Sequence, residues 1–115
     1  MPSTNTVRFP TLVLETFIST ALHSLDMSEN DANDCARLMV ASDKAGFHTH
    51  GIFRLAQYVK RIKAGGINVK PSITIVSEAP ATALVDGDNA MGHLVAEFSM
   101  NVAIQKAEED SKEQK

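Results

Sequence analysis

The chain is short of cysteine, of basic charge and of long apolar runs, and each shortage excludes a class of protein. Cys35 is the single cysteine among 115 residues, so no intramolecular disulfide can form and a reducing compartment is expected. Eleven basic residues against 14 acidic ones give a net charge of −3 and leave no basic patch, which argues against a nucleic-acid partner. No apolar run approaches the ~20 residues that a membrane span needs. The N-terminus lacks the pattern of a secretory signal peptide, so we expect a cytoplasmic protein with no membrane partner.

Three amphipathic helices are predicted before the middle of the chain. The first follows Pro10 and carries apolar residues at helical spacing, namely Leu14, Phe17, Ile18, Ala21, Leu22 and Leu25. The second starts after the N-cap Ser28 and stops at Gly46; its apolar stripe is Ala32, Cys35, Ala36, Met39 and Val40. The third is predicted to run from Gly51 to the Gly65-Gly66 pair; its apolar face is Ile52, Leu55, Ala56, Val59 and Ile62.

The second half of the chain predicts two strands and one more helix. Residues 72–77 and Thr82–Asp86 are rich in β-forming side chains, and a strong turn signal at residues 86–89 precedes the last helix. The fold class is therefore α+β. Two strands alone are marginal in water, so the sheet is expected to need partners from outside this segment. We divide the chain into a disordered segment at 1–9, a domain at 10–108 and a polar tail at 109–115.

Three polar side chains able to handle a 2-oxo acid recur every four residues. If a helix opens at Gly51, each step of four residues advances about 40° around its axis, so His50, Arg54 and Tyr58 share one side. An imidazole, a guanidinium and a phenol can polarise a carbonyl, hold a carboxylate and donate one further hydrogen bond. On spacing alone, a solvated helix face is the commoner explanation of such residues.

Several short motifs, taken in order, indicate a family. They are Thr49-His50-Gly51 with Arg54 and Tyr58, then Ala64-Gly65-Gly66-Ile67-Asn68, then the run from Pro80 to Asn89, and finally Gly92. From about Ser28 to Ala107 the chain resembles the second, non-Rossmann malate/L-lactate dehydrogenase family, which includes ureidoglycolate dehydrogenase, sulfolactate dehydrogenase and diketogulonate reductase. The resemblance implies part of a larger non-Rossmann dehydrogenase fold, consistent with the absence of a G-x-G-x-x-G motif. It also implies NAD- or NADP-dependent interconversion of 2-hydroxy and 2-oxo acids by a homodimer.

The resemblance also implies roles for individual residues. His50 matches the histidine that acts as catalytic proton donor or carbonyl polariser. Arg54 matches a substrate-carboxylate contact, and Tyr58 and Thr49 line the same pocket, Thr49 standing where the family most often has serine. The residues that bind the cofactor are unassigned, with His48 and His93 as candidates.

Family members are considerably longer than this chain. Their second conserved histidine and most of their cofactor contacts lie in segments that would begin after residue 115. The resemblance therefore implies the N-terminal third of such an enzyme, catalytically incomplete by itself. The alternative is a catalytically incomplete interaction module that associates with itself or with a full-length relative through exposed apolar surface.

The remaining chemistry-bearing residues have simpler explanations. His48 and His50 lack a nearby third ligand, so no metal site is predicted. Asp86-Gly87-Asp88 lacks the rest of a calcium loop and is typical of a turn. Cys35 is predicted to be a buried small apolar residue and His23 to be structural. Met39, Met91 and Met100 are predicted core residues.

Overall fold

The computed structural model describes residues 7–113 as four α-helices, two short 3-10 turns and one β-hairpin. The α+β class is therefore confirmed. Most of the segment predicted to be disordered, 1–9, lies outside the described residues. The elements in chain order are α1 (Thr11–His23), α2 (Glu29–Lys44), the 3-10 turns His48–His50 and Ile52–Arg54, α3 (Leu55–Lys63), β1 (Thr74–Ala79), β2 (Thr82–Asp86) and α4 (Gly92–Glu113).

The core lies mainly between α1 and α2. Ser28 caps α2, its side-chain oxygen accepting a hydrogen bond from the Asp31 N–H at 3.1 Å, as the sequence predicts. Gly46 follows α2 with φ +87°, a left-handed conformation that suits glycine. The predicted stripe of α2 is confirmed throughout, and its residues pack on Ile18 and Leu22 of α1. The core cluster is Ile18, Leu22, Met27, Ala32, Cys35, Ala36, Met39, Val40, Leu55, Met91 and Leu94.

Three residues predicted in the core are exposed instead. Phe17 is 60% exposed, because α1 packs on α2 through a face narrower than its whole apolar stripe. Met100, also 60% exposed, lies on α4 where that helix has left the core. Ala56 is exposed on α3, where Leu55 is buried and Ile62 is partly buried. Each of these helices is covered along only part of its apolar face, so some apolar side chains of that face stay exposed.

The third helix begins at Leu55, so the predicted start at Gly51 is wrong. Gly51 has φ −95° and ψ −146°, an extended conformation that no helix contains. The Ile52 N–H donates to the Asp43 carboxylate at 2.9 Å, since an N–H at the start of a helical segment has no partner within the helix. One 3-10 turn precedes Gly51, and the second, Ile52–Arg54, stands where the first turn of the predicted helix was expected. Gly65 ends α3 with φ +78°, as predicted, whereas Gly66 does not adopt a positive φ.

The two strands form an antiparallel hairpin with an irregularity between Ile75 and Ser77. Strand β2 has the predicted bounds, but β1 both starts and ends two residues later than predicted. Before it, the Ser72 N–H donates to the Asp88 carboxylate at 2.8 Å and is drawn away from strand pairing. Within residues 7–113 the sheet has these two strands alone, and both are almost wholly exposed.

The turn after β2 is hydrogen-bonded to the segment that follows α3. Asp88 and Asn89 both have positive φ, 51° and 58°. The Asn68 side-chain amide donates to the Asp88 carboxylate at 3.0 Å, and the Asn89 amide donates to the Gly66 carbonyl at 2.9 Å. The predicted turn is confirmed, and its side chains hold the end of α3 close to the start of α4.

The last helix continues beyond the predicted domain end at 108. It runs to Glu113, so the predicted polar tail, 109–115, is helical over its described part, and residues 109–112 are exposed. Lys106 joins α4 to the hairpin, donating to the Ala79 carbonyl at 2.9 Å and pairing with Glu78 at 3.0 Å. None of the helices among the described residues is long and apolar enough to cross a membrane.

Candidate functional site

The two 3-10 turns bring Thr49, His50 and Arg54 into one short segment. The Arg54 Nε–H donates to the Thr49 carbonyl at 2.9 Å, and Nη1 donates to the Gln57 side-chain oxygen at 3.1 Å. A guanidinium has about five N–H donors, so these two bonds leave about three unused, including both on Nη2. The Arg54 side chain is thus held in place and keeps donors for a ligand.

The ring of His93 joins this segment from α4. The Tyr58 and His93 rings meet edge to face, with centroids 5.6 Å apart and planes at 89°. His93 is half-buried, and its Nδ1 has no hydrogen-bond partner within the described residues. Burial lowers the pKa of His93, and the nearby charge of His50 lowers it further. The structure therefore brings His50, Tyr58 and His93 to the junction of the 3-10 turns, α3 and α4.

Sequence reasoning did not find the role of Asp43 in this site. Its carboxylate accepts the Ile52 N–H through Oδ2 at 2.9 Å and pairs with His48 Nδ1 through Oδ1 at 3.0 Å. The Asp43 side chain is only 14% exposed. A Cβ at Gly51 would overlap this carboxylate, so glycine is required there for close approach. The one sequence signal was an acidic residue in the last turn of a helix, where the dipole disfavours it.

The two candidate cofactor residues line different clefts. His48, 73% exposed, lines a cleft of about 650 Å³ between the N-terminal segment, α1 and α2, together with Arg8, Asp43, Lys44 and several apolar residues. His93 lines a cleft of about 400 Å³ between α2 and α4, together with Glu97 and several neutral residues. The structure thus separates the two histidines that the sequence left as alternatives.

Two other candidates take no part in this site. Cys35 is buried in the core, as predicted, and burial, followed by the charges of nearby acidic residues, raises its pKa to about 12. The thiol therefore stays protonated at neutral pH and is a poor nucleophile. His23 donates from Nδ1 to the Met27 carbonyl at 2.9 Å, which gives it the structural role predicted. No cluster of three potential metal ligands occurs among residues 7–113.

The chain matches a family model described as malate/L-lactate dehydrogenase over residues 9–111. It is 40% identical over 105 residues to a malate dehydrogenase of Pyrococcus horikoshii, covering 91% of this chain and 29% of that protein. It is 45% identical over 86 residues to an L-sulfolactate dehydrogenase of Methanocaldococcus jannaschii, covering 75% and 25% respectively. An NAD(+) ureidoglycolate dehydrogenase of Escherichia coli is 31% identical over 97 residues, 84% of this chain and 28% of that protein.

The fold matches as well as the sequence. The solved structure of malate dehydrogenase from Pyrococcus horikoshii superimposes with a TM-score of 0.88 at 39% identity, covering 93% of this chain and 31% of the larger one. The chain thus spans between a quarter and a third of the length of these relatives.

Proposed function

Because this chain belongs to the malate/L-lactate dehydrogenase family of oxidoreductases, we propose that it supplies the substrate-binding part of an NAD- or NADP-dependent enzyme that interconverts 2-hydroxy and 2-oxo acids. The observation that carries the proposal is the segment in which Arg54 is tied to the Thr49 carbonyl beside His50 and keeps free N–H donors. An oriented cation beside an imidazole is what a 2-oxo acid requires. We propose that the protein is cytoplasmic.

Arg54 is the proposed anchor for the substrate carboxylate. With Nε bonded to Thr49 and one N–H of Nη1 bonded to Gln57, the second N–H of Nη1 and both on Nη2 remain to meet the oxygens of a carboxylate. Such paired, charge-assisted bonds fix direction as well as position, so the neighbouring carbonyl is oriented too. The hydroxyls of Thr49 and Tyr58 form no hydrogen bond within residues 7–113 and are free to donate to the same substrate.

His50 is the proposed acid on the carbonyl side. In the reducing direction the carbonyl carbon receives a hydride, and the oxygen gains negative charge that a donor must stabilise. The imidazolium of His50 would donate a proton to that oxygen, completing the hydroxyl and leaving a neutral ring. In the oxidising direction the neutral ring takes the hydroxyl proton. His50 is exposed here, so a ligand can reach it.

The nicotinamide cofactor, when bound, supplies or accepts the hydride. Of the two candidate contacts, His48 has the more suitable surroundings. Its cleft carries Arg8 and Lys44, whose charges suit the phosphates of a dinucleotide, and one acidic residue, Asp43, whose carboxylate is bonded to His48 and Ile52. The cleft of His93 carries Glu97 and neither lysine nor arginine. We therefore assign His48 to the cofactor side and His93, through Tyr58, to the substrate side.

Association with another protein chain is the second candidate function, and it includes the homodimer expected for an intact enzyme. An apolar hollow of about 340 Å³ on α1 is lined by Phe9, Val13, Leu14, Phe17 and Ile52, and three of these side chains are largely exposed. Apolar surface of this kind marks protein contacts. Sedimentation tests whether the chain associates. A chain that stays monomeric, alone and when mixed with a longer relative, contradicts both the dimer and the interaction module.

Turnover by the protein expressed from its complete reading frame tests the enzymatic proposal. Absorbance of reduced nicotinamide is followed with pyruvate, oxaloacetate and sulfopyruvate, using NADH and NADPH in turn. We expect His50→Ala to lower kcat by at least about a hundredfold, in line with the usual contribution of a general acid. His23→Ala serves as the matched control and should keep wild-type turnover, because the His23 ring bonds to the Met27 carbonyl and not to this segment. Near-normal turnover in His50→Ala contradicts the assignment.

A further inference from the structure

The carboxylate of Asp43 holds the candidate catalytic segment from both sides. Asp43 lies in the last turn of α2, one residue before its end. One carboxylate oxygen accepts the N–H of Ile52, two residues after His50. The other pairs with Nδ1 of His48, two residues before His50. His50 is thus the centre of a five-residue segment whose two ends are bonded to one side chain.

Gly51 is the complement of this arrangement. The carboxylate fills the space that a side chain at position 51 would need. The φ of −95° at Gly51 is open to any residue, so backbone strain does not require glycine here. The requirement comes from the carboxylate, which makes Gly51 and Asp43 a matched pair.

The place of Asp43 in α2 indicates that it serves the site and not its own helix. The C-terminal end of a helix carries partial negative charge, which disfavours a carboxylate. A largely buried carboxylate also costs free energy unless its oxygens are hydrogen-bonded. Both effects oppose Asp43 in α2, whereas its two bonds to the segment around His50 offset them.

We propose that Asp43 is a positioning residue for the substrate site, fixing the backbone that carries His50 and the ring orientation of His48. The inference rests on the proposed function and deepens it, because Asp43 is assigned to act through the Ile52 N–H and the His48 ring that it holds. With its Nδ1–H donating to Asp43, His48 presents Nε2 as its free nitrogen to the neighbouring cleft. The His48 imidazole, bonded to Asp43, therefore lies in a fixed orientation close in sequence to the proposed acid His50.

Two substitutions separate the two bonds. Asp43→Asn keeps an oxygen that can accept the Ile52 N–H, but its amide donates to His48 Nδ1 and forces the proton of that ring to Nε2. Asp43→Ala removes both bonds. Asp34→Asn is the matched control, since Asp34 lies on the same helix in a surface pair with Arg37.

The experiment records histidine ring nitrogens, amide exchange and oxamate binding by NMR on the protein expressed from its complete reading frame. Oxamate is the probe because it is an unreactive analogue of a 2-oxo acid. Wild-type protein should show His48 protonated at Nδ1, and Asp43→Asn should show it protonated at Nε2. Asp43→Ala should speed exchange of the Ile52 amide and weaken oxamate binding, each about tenfold, as expected for loss of hydrogen bonds to a charged group. Asp34→Asn should change neither.

The outcomes separate this inference from the proposed function. An Ile52 amide and an oxamate affinity that are unchanged in Asp43→Ala overturn the inference. So does equal acceleration of exchange at Met39 in the core, because that shows general unfolding. Wild-type protein with the expected His48 tautomer and a protected Ile52, but with no oxamate binding, contradicts the proposed function while supporting the role of Asp43 in holding the segment.

Discussion

His93, in the first turn of α4, meets Tyr58 of α3 edge to face, with ring centroids 5.6 Å apart. This contact links the two elements around the candidate site and brings a second histidine close to His50. Its Nδ1 is buried without a partner among the described residues, so a proton on that atom would have no acceptor. Burial and the missing acceptor both favour a neutral His93.

The lowered pKa of His93 predicts a pH dependence of stability. Burial first, and His50 second, hold the pKa of His93 below the 6.5 of a free side chain. The unfolded chain therefore binds a proton more readily than the folded one, and stability falls as pH drops below about 6.5 until the folded-state pKa is passed. His93→Gln should remove this part of the pH dependence. Urea unfolding of both proteins between pH 7.5 and pH 5 measures it, and parallel curves would contradict the assignment.

Gly51→Ala is predicted to destabilise the protein through the Asp43 carboxylate. The new methyl group would overlap that carboxylate, and overpacking of this kind costs about 1–3 kcal/mol of unfolding free energy. Gly92→Ala is the control, because a Cβ there meets nothing within 4 Å. The double variant Gly51→Ala with Asp43→Ala should lose less than the sum of the single losses. Additive losses in urea unfolding would mean that the two residues do not interact.

Asp88→Ala is predicted to loosen the junction between α3 and α4. The carboxylate accepts from the Asn68 amide at 3.0 Å and from the Ser72 N–H at 2.8 Å. Loss of these bonds should lower the free energy of unfolding by about 1–3 kcal/mol. Glu109→Ala, at an exposed position late in α4, should change it by less than about 0.5 kcal/mol. Equal thermal unfolding midpoints for the two variants would show that the hydrogen bonds of Asp88 do not stabilise the fold.

Local sequence signals determined α2 almost completely. Ser28 gives the cap, Gly46 gives the stop, and the period of the apolar residues gives the buried face, because each depends on residues within one helix. The two strands and the turn that follows β2 were predicted for the same reason. Strand β1 was misplaced at its start because Ser72 bonds to Asp88, far away in the sequence.

The site was predictable in its residue types but not in its geometry. The spacing of His50, Arg54 and Tyr58 assumed a helix from Gly51, whereas a 3-10 turn precedes α3, and nothing local shows that Asp43 will bind the Ile52 N–H. The approach of His93 to Tyr58 likewise depends on how α3 and α4 pack. Phe17 and Met100 are exposed although the sequence predicts them in the core. The order of apolar residues along a helix does not show how much of its apolar face a neighbouring element will cover.

Arg54→Lys is predicted to separate charge from geometry at the candidate carboxylate anchor. Lysine keeps the positive charge but loses the planar fork and the bond by which Nε holds the side chain to Thr49. We expect oxamate binding, measured by calorimetry, to weaken about tenfold or more, since a paired charge-assisted contact becomes a single flexible one. Arg61→Lys makes the same chemical change at an exposed position of α3, the helix that directly follows Arg54, and should leave the affinity unchanged. Equal loss in both variants would indicate attraction by overall charge, and no loss in either would remove Arg54 from the site.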